Sequence, residues 1–325
     1  MTWSWPAALL GGVCALPAGV IALNDPQHGL AFAIGVLPAA LVGVLPRRRA
    51  RVALVALGAM IGAAVLLGGV LAGAPVIAVA ALVVLGVAAA WLGRRSRLGQ
   101  IAMTLALPMV AIGFSFDDVS EAAGLAALMV AGSAVAWLVS LPWPQRPLPP
   151  VSAPGAPGGE PRQAMPTLGY GVRLGAAGAT AAAIGFLLDF DHVGWACAAA
   201  LLVMRPAAEM QRLRSVGRIL AVLVGALLAI GFVRLDPADG WYALAAIAAV
   251  AGAAGTHRSR WYLTPAFTTF IVFLLLLYAE PQDAGARLGE RVGETLLGVG
   301  LAYLFGLALP ALALRTRQRR PSREH

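Results

Sequence analysis

Long apolar runs alternate with short polar breaks along almost the whole chain. A helix needs about 20 apolar residues to cross the hydrocarbon layer of a bilayer. Runs of that kind lie near 6–23, 28–45, 51–72, 75–92, 98–116 and 122–141. Six more lie near 168–188, 191–205, 216–234, 240–255, 261–279 and 292–314. The pattern predicts an all-α polytopic membrane protein with about twelve transmembrane helices. The runs at 191–205 and 240–255 are short, so tilt or extension into the loops is expected there.

The alternation stops between 142 and 166. That stretch holds Pro142, Pro144, Pro147, Pro149, Pro150, Pro154, Pro157, Pro161 and Pro166, with Gly155, Gly158 and Gly159. A composition of this kind builds no packed core and acts as a semi-extended linker. It divides the chain into a first six-helix membrane repeat over 1–141, degenerate in sequence, and a second over 167–314. A basic tail follows at 315–325. The halves echo one another: His28, then Pro46 and a basic loop, then Arg51 and Gly58; and His192, then Pro206, then Arg218 and Gly225. Arg97 before the fifth span corresponds to Arg260 before the eleventh. With six spans in each half, both halves begin on the same side, so the repeat is parallel.

Charge fixes the orientation. All 24 basic residues are Arg. They cluster at Arg47–Arg51, at Arg94, Arg95 and Arg97, at Arg205, Arg212, Arg214 and Arg218, at Arg258 and Arg260, and at Arg315–Arg323. The intervening connections carry Asp25; Asp117, Asp118 and Glu121; Asp189 and Asp191; Asp236 and Asp239; and Glu280, Asp283 and Glu290. Short Arg-rich loops stay in the cytoplasm during insertion. Both termini and the linker, with Arg146 and Arg162, are therefore placed on the cytoplasmic side of a bacterial-type plasma membrane. The net charge of +9 is the topological signal itself, so no nucleic-acid partner is expected.

Composition removes other classes. The charged fraction is 12%, about half that of an ordinary soluble domain. The absence of Lys excludes a phosphate-binding loop, and with it an ATP-driven pump on this chain. Cys14 and Cys197 sit alone in apolar runs and read as packing residues, and His28, His192, His257 and His325 are scattered. No metal and no cofactor are expected. Met1–Pro6 lacks a basic n-region, which disfavours a cleaved signal peptide. No nucleophile, base and acid gather at one depth, so no catalytic residues are assigned and the chain is not read as an enzyme. Gly58-x-x-x-Gly62, Gly69-x-x-x-Gly73 and Gly171-x-x-x-Gly175 read as close helix packing, and a homo-oligomer is left open.

A charge at the bilayer centre costs roughly 2.5–3.5 kcal/mol and usually faces a cavity or a partner. Arg173 lies about one turn into the seventh span, where snorkelling to the surface is the simple alternative. Arg234, Arg287 and Arg291 lie on the acidic side. Arg291 opens the last span with Glu294 three residues on, a spacing that shares one helix face. Asp189, Asp191 and His192 flank the turn between spans seven and eight and are candidates for proton exchange; solvated loop charges are the alternative.

These positions carry a resemblance. Tyr170-Gly-Val-Arg173, His192-Val-Gly-Trp195-Ala196 running to Met204-Arg205-Pro206, the turn from Arg212 to Arg218 and Gly225, and Arg291-Val-Gly-Glu294-Thr295-Leu-Leu-Gly298 resemble the membrane module of the fusaric acid resistance family. That family is related to aromatic acid exporters and similar to plant aluminium-activated malate transporters. The resemblance covers about 168–312, and 28–141 only faintly. Ala221 and Val222 stand where the family has Gly-Thr, and Glu294 where it has Asp. It implies an exporter of organic, including aromatic, carboxylate anions driven by membrane potential or a proton gradient. Arg173, His192, Trp195, Arg218, Arg291 and Glu294 then line the substrate pathway, with Asp189, Asp191 and His192 available for proton coupling. The partners expected are the anion and the bilayer. A passive anion channel, or a non-transporting partner of an envelope or export complex, is the alternative.

Overall fold

The computed structural model describes residues 3–145, 165–257, 259, 263–279 and 284–318. Most of the linker, with Arg146 and Arg162, lies outside the described residues, as do Arg258, Arg260, Glu280, Asp283 and the tail from 319.

Every apolar run is helical. In chain order the helices are α1 (Trp5–Ala22), α2 (Pro26–Val42), α3 (Ala53–Ala72, entered through a 3-10 turn at Arg48–Val52), α4 (Pro75–Arg95), α5 (Arg97–Ile101), α6 (Leu107–Gly113) and α7 (Val119–Ser140). Then come α8 (Leu168–Leu187), α9 (Val193–Val203), α10 (Ala208–Val233), α11 (Asp239–Thr256), α12 (Thr264–Ala279), α13 (Ala284–Tyr303) and α14 (Leu309–Gln318). The chain is a multi-pass membrane protein. Among the described residues, however, seven helices rather than twelve are long and apolar enough to cross a membrane. α2, α9, α12 and the helix running through α5 and α6 are apolar but shorter than 18 residues. At about 1.5 Å per residue the 11 residues of α9 span only about 16 Å.

Two helix starts lie earlier than the apolar pattern predicts. α10 begins at Ala208 rather than 216, and α13 at Ala284 rather than 292. The first turns of both are polar, as in Glu209, Gln211, Arg212 and Arg214. Hydropathy reads such turns as loop, although Glu, Gln and Arg are good helix formers.

Two π-helical turns interrupt the ladder, at Ala102–Ala106 and Leu304–Ala308, and each is followed two residues later by a proline, Pro108 or Pro310. A proline ring clashes with the carbonyl four residues before it, and widening that turn relieves the clash. At the second π turn the buried Gln211 side chain donates to the Ala302 carbonyl at 2.7 Å.

The chain divides into two compact units. Unit one comprises Met1–Gly62, Gly124–Ala164 and Leu223–Gly285; unit two comprises Ala63–Ala123, Met165–Val222 and Ala286–His325. Each unit therefore takes helices from both sides of the linker. Within unit one, α1 packs on α11 and α2, and α2 on α12. Within unit two, α8 packs on α4 and α9, and α9 on α6. Small residues permit these approaches. A Cβ at Gly86 would lie 2.6 Å from the Gly175 Cα, which joins α4 to α8 almost backbone to backbone. This is the packing mode expected where lipid supplies no hydrophobic drive between helices.

Arg51 shows a structural use of a charge that the sequence marks as topological. It is fully buried. Its guanidinium donates from Nη1 to the Ser140 carbonyl and to that of Trp143 at 3.0 Å, from Nη2 to Pro144 at 3.2 Å, and from Nε to Leu45 at 3.0 Å. All but Leu45 are carbonyls at and beyond the end of α7, left without intrahelical partners. At the other end of unit one, Asp25 caps α2 by accepting from the His28 backbone N–H at 3.0 Å, which holds its carboxyl below the usual range.

Candidate functional site

The site is built on the start of α9 and the first half of α13, both within unit two. α8 ends in a tight reversal. Asp189 adopts a left-handed conformation (φ 53°), and the Phe190 N–H closes on the Gly185 carbonyl at 3.0 Å. Asp is one of the few side chains that tolerates this region, and the bond pattern is that of a Schellman ending. The reversal delivers His192 to the N-cap position of α9. From Val193 to Val203 every residue of α9 except Leu202 is buried. The α9 backbone meets neighbours on two sides. The Gly194 N–H donates to Ser115 Oγ at 2.9 Å, and a Cβ at Gly298 of α13 would collide with the Ala196 carbonyl oxygen.

This crossing of α13 over α9 brings four of the sequence candidates together. The Arg291 guanidinium lies over the Trp195 ring with Cζ 3.9 Å from its centroid. His192 stacks on the same ring, with centroids 4.0 Å apart and planes at 19°. Glu294 lies one turn beyond Arg291 on α13. Arg291 is 6% exposed and Glu294 3%. Among the described residues, Nε and Nη1 of Arg291 and both carboxylate oxygens of Glu294 have no hydrogen-bond partner. Buried polar atoms are nearly always satisfied, so four orphans at one place call for an explanation.

Arg218 joins the group. Because α10 begins at Ala208, Arg218 lies ten residues in, about 15 Å along the axis, and not in a basic loop. It is 5% exposed and lies within electrostatic reach of Arg291, as do Glu290 and Glu294.

Glu290 and Arg287, which the sequence leaves among the charges of the acidic side, complete that end together with the proton-exchange candidate Asp191. Glu290 Oε1 meets His192 Nδ1 at 2.9 Å, while Arg287 Nη1 lies 3.7 Å from Glu290 Oε2 and 3.6 Å from Asp191 Oδ2. The signal was present in the spacing. Arg287 and Arg291, and Glu290 and Glu294, are four residues apart and share a helix face once α13 is started at Ala284. Asp191 is well exposed, and Asp189 serves the turn.

Arg173 is elsewhere. It lies five residues into α8, so some 15 further residues, roughly 20 Å of helix, separate it from the reversal that carries His192. It lies within electrostatic reach of Tyr170, as do Arg205 and Arg214, at the Arg-rich end of unit two. Its Nε is buried without a hydrogen-bond partner among the described residues.

Among the described residues no three His, Cys, Asp or Glu side chains gather as metal ligands. Cys197 is buried with its thiol directed at the Gly178 carbonyl at 3.3 Å, and Cys14 is buried as well.

The arrangement thus offers two guanidinium groups and one carboxylate inside a helical unit, with an aromatic face beneath one guanidinium. A guanidinium in such a place keeps its charge and presents a planar fork suited to a carboxylate or another oxyanion. No curated protein and no solved structure matches the chain. Residues 180–305 match the family described as Fusaric acid resistance protein-like. The matched stretch spans the reversal after α8, all of α9 to α12, and α13 through Arg291 and Glu294. Over that segment the chain is therefore similar to fusaric acid resistance protein-like membrane domains.

Proposed function

We propose that the protein carries organic carboxylate anions out of the cell through unit two, with Arg291 and Arg218 as the anion-binding groups. The observation that carries this reading is the buried Arg291 guanidinium, whose Nε and Nη1 are uncommitted among the described residues. A cation held at that depth costs several kcal/mol unless an anion or a polar partner meets it. A carboxylate substrate supplies both. Arg173, Arg205 and Arg214, all within electrostatic reach of Tyr170, would gather anions at the Arg-rich end, and Arg291 would receive them about 20 Å further along. Placing the Arg-rich end and both termini in the cytoplasm makes the journey outward. An interior-negative potential then favours it by about 2.3 kcal/mol per charge per 100 mV. Protonation at His192, Asp191 or Asp189 remains the route by which a proton gradient would contribute.

In this reading the twelve apolar helices form two parallel six-helix repeats joined by the linker. The matching pairings inside the two units support it. The first helix of one half packs on the fourth of the other in both, α1 on α11 and α8 on α4. The second packs on the fifth in both, α2 on α12 and α9 on α6.

The test is carboxylate uptake into inverted vesicles, where export from the cytoplasmic face runs into the lumen, and into liposomes with purified protein. Arg291→Gln and Arg218→Gln are each expected to lower this uptake by at least about a hundredfold, with folded yield intact, since losing a desolvated charge partner costs about 3 kcal/mol or more. Normal uptake with both variants would remove these residues from the pathway. Ohmic single-channel currents would convert the carrier into an anion channel.

A further inference from the structure

We propose that Trp195 and His192 are positioning residues that fix the plane of the Arg291 guanidinium so that its edge, not its face, meets the anion. This rests on the reading of Arg291 as the anion-binding group.

A guanidinium has two kinds of surface. Its flat faces stack, and its edge donates hydrogen bonds. Arg291 places its Cζ 3.9 Å from the centre of the Trp195 ring, a separation that fits a guanidinium face laid on the indole. The edge donors Nε and Nη1 are the atoms left without partners among the described residues. Stacking therefore constrains the side chain without consuming the donors a carboxylate needs. An arginine held only at its backbone would keep about 2 kcal/mol of rotamer entropy, to be lost on binding. Held on the indole, it is oriented beforehand.

The indole is itself held. His192 stacks on Trp195 at 4.0 Å, and Glu290 Oε1 fixes His192 through Nδ1 at 2.9 Å. Glu290 immediately precedes Arg291 in α13. The contacts thus close a ring across two helices: Arg291 on Trp195, Trp195 on His192, His192 to Glu290, and Glu290 back to Arg291 along the backbone. Arg287 steadies Glu290 from one turn away at 3.7 Å. Glu290 and His192 are about 20% exposed or less, so the ring is largely shielded from screening by salt. A tryptophan kept only to fill space would need neither the parallel imidazole nor the cation.

Benzoate uptake into liposomes, measured as initial rates with purified protein, separates KM from kcat. Trp195→Leu is expected to raise KM about tenfold, equivalent to about 1.4 kcal/mol, with kcat within about twofold of the starting protein. Trp195→Phe, which keeps an aromatic face, should recover KM to within about threefold. His192→Leu should raise KM several-fold with Trp195 still in place. An unchanged KM in Trp195→Leu, or Phe performing no better than Leu, would overturn the proposal. If Trp195→Leu does not fold, an unchanged KM in His192→Leu overturns it instead. Arg291→Gln separates the two levels. Loss of uptake there with unchanged KM in the Trp195 and His192 variants sinks only the positioning role, whereas normal uptake sinks the underlying reading.

Discussion

Arg51 and Arg291 are the same residue type near the ends of their spans, yet their surroundings divide their tasks. Arg51 commits Nη1 and Nη2 to carbonyl oxygens beyond the end of α7 and Nε to that of Leu45. Arg291 commits a face to Trp195 and leaves Nε and Nη1 open among the described residues. Hydrogen bonds from a charged group contribute roughly 1.5–3 kcal/mol each. Arg51→Gln is therefore expected to lower the thermal midpoint in detergent markedly while benzoate KM stays unchanged at permissive temperature. Arg51→Lys should rescue little, because a point charge cannot reach several carbonyls in a planar array. The sequence marks Arg51 only as part of a basic loop, since its acceptors at 140–144 lie some 90 residues away and are backbone atoms of unrelated side chains. Arg291 and Glu294 stand out by their spacing at the head of the last span, and Trp195 and His192 enter the pathway only through the family motif they resemble. Arg218 is legible as a motif position but not as a buried one, because its depth depends on polar turns that hydropathy assigns to a loop.

At the scale of elements, the site depends on how closely α13 can approach α9. Gly298 is the contact, and a side chain there would strike the Ala196 carbonyl, backbone that cannot move aside cheaply. Gly298→Ala is expected to separate the helices and unseat Arg291 from Trp195, lowering both folded yield and anion affinity. Fluorescence-detected size exclusion with a binding isotherm on the surviving fraction would show it. Gly293→Ala serves as the control, because a Cβ at Gly293 meets nothing within 4 Å. All twelve apolar runs correspond to helical segments, because apolar composition marks a helix core well. The apolar pattern misses the starts of α10 and α13, where Glu209, Gln211 and Arg212 in the one, and Arg287, Glu290 and Arg291 in the other, lie in the helix before the apolar run begins.

For the molecule as a whole, the linker divides the sequence but not the packing. Unit one needs α1 and α11 together, and unit two needs α4 and α8 together, and each pair straddles the linker in the chain. Neither sequence half holds a complete unit. Residues 1–145 and 165–325 expressed separately are expected to be degraded, while coexpression of the two should restore copurification and transport. Stable, monodisperse halves would contradict that dependence. Composition exposes the linker at once, through its prolines. It is silent on the interleaving, because close contacts such as Gly86 on Gly175 and Gly11 on Ala254 are made by Gly and Ala, which abound along the chain.

The near-complete burial of α9 has a consequence for timing. Its neighbour α8 is already made when α9 leaves the ribosome, but Gly298 is not. About 95 residues separate Val203 from Gly298. At about 5–20 residues per second, this leaves α9 without its α13 cover for roughly 5–20 s. During that interval a helix of about 16 Å, too short to fit the bilayer alone, carries Trp195 and the adjacent His192 uncovered. The interval of exposure falls before synthesis ends, and the residues then uncovered are those on which Arg291 later rests.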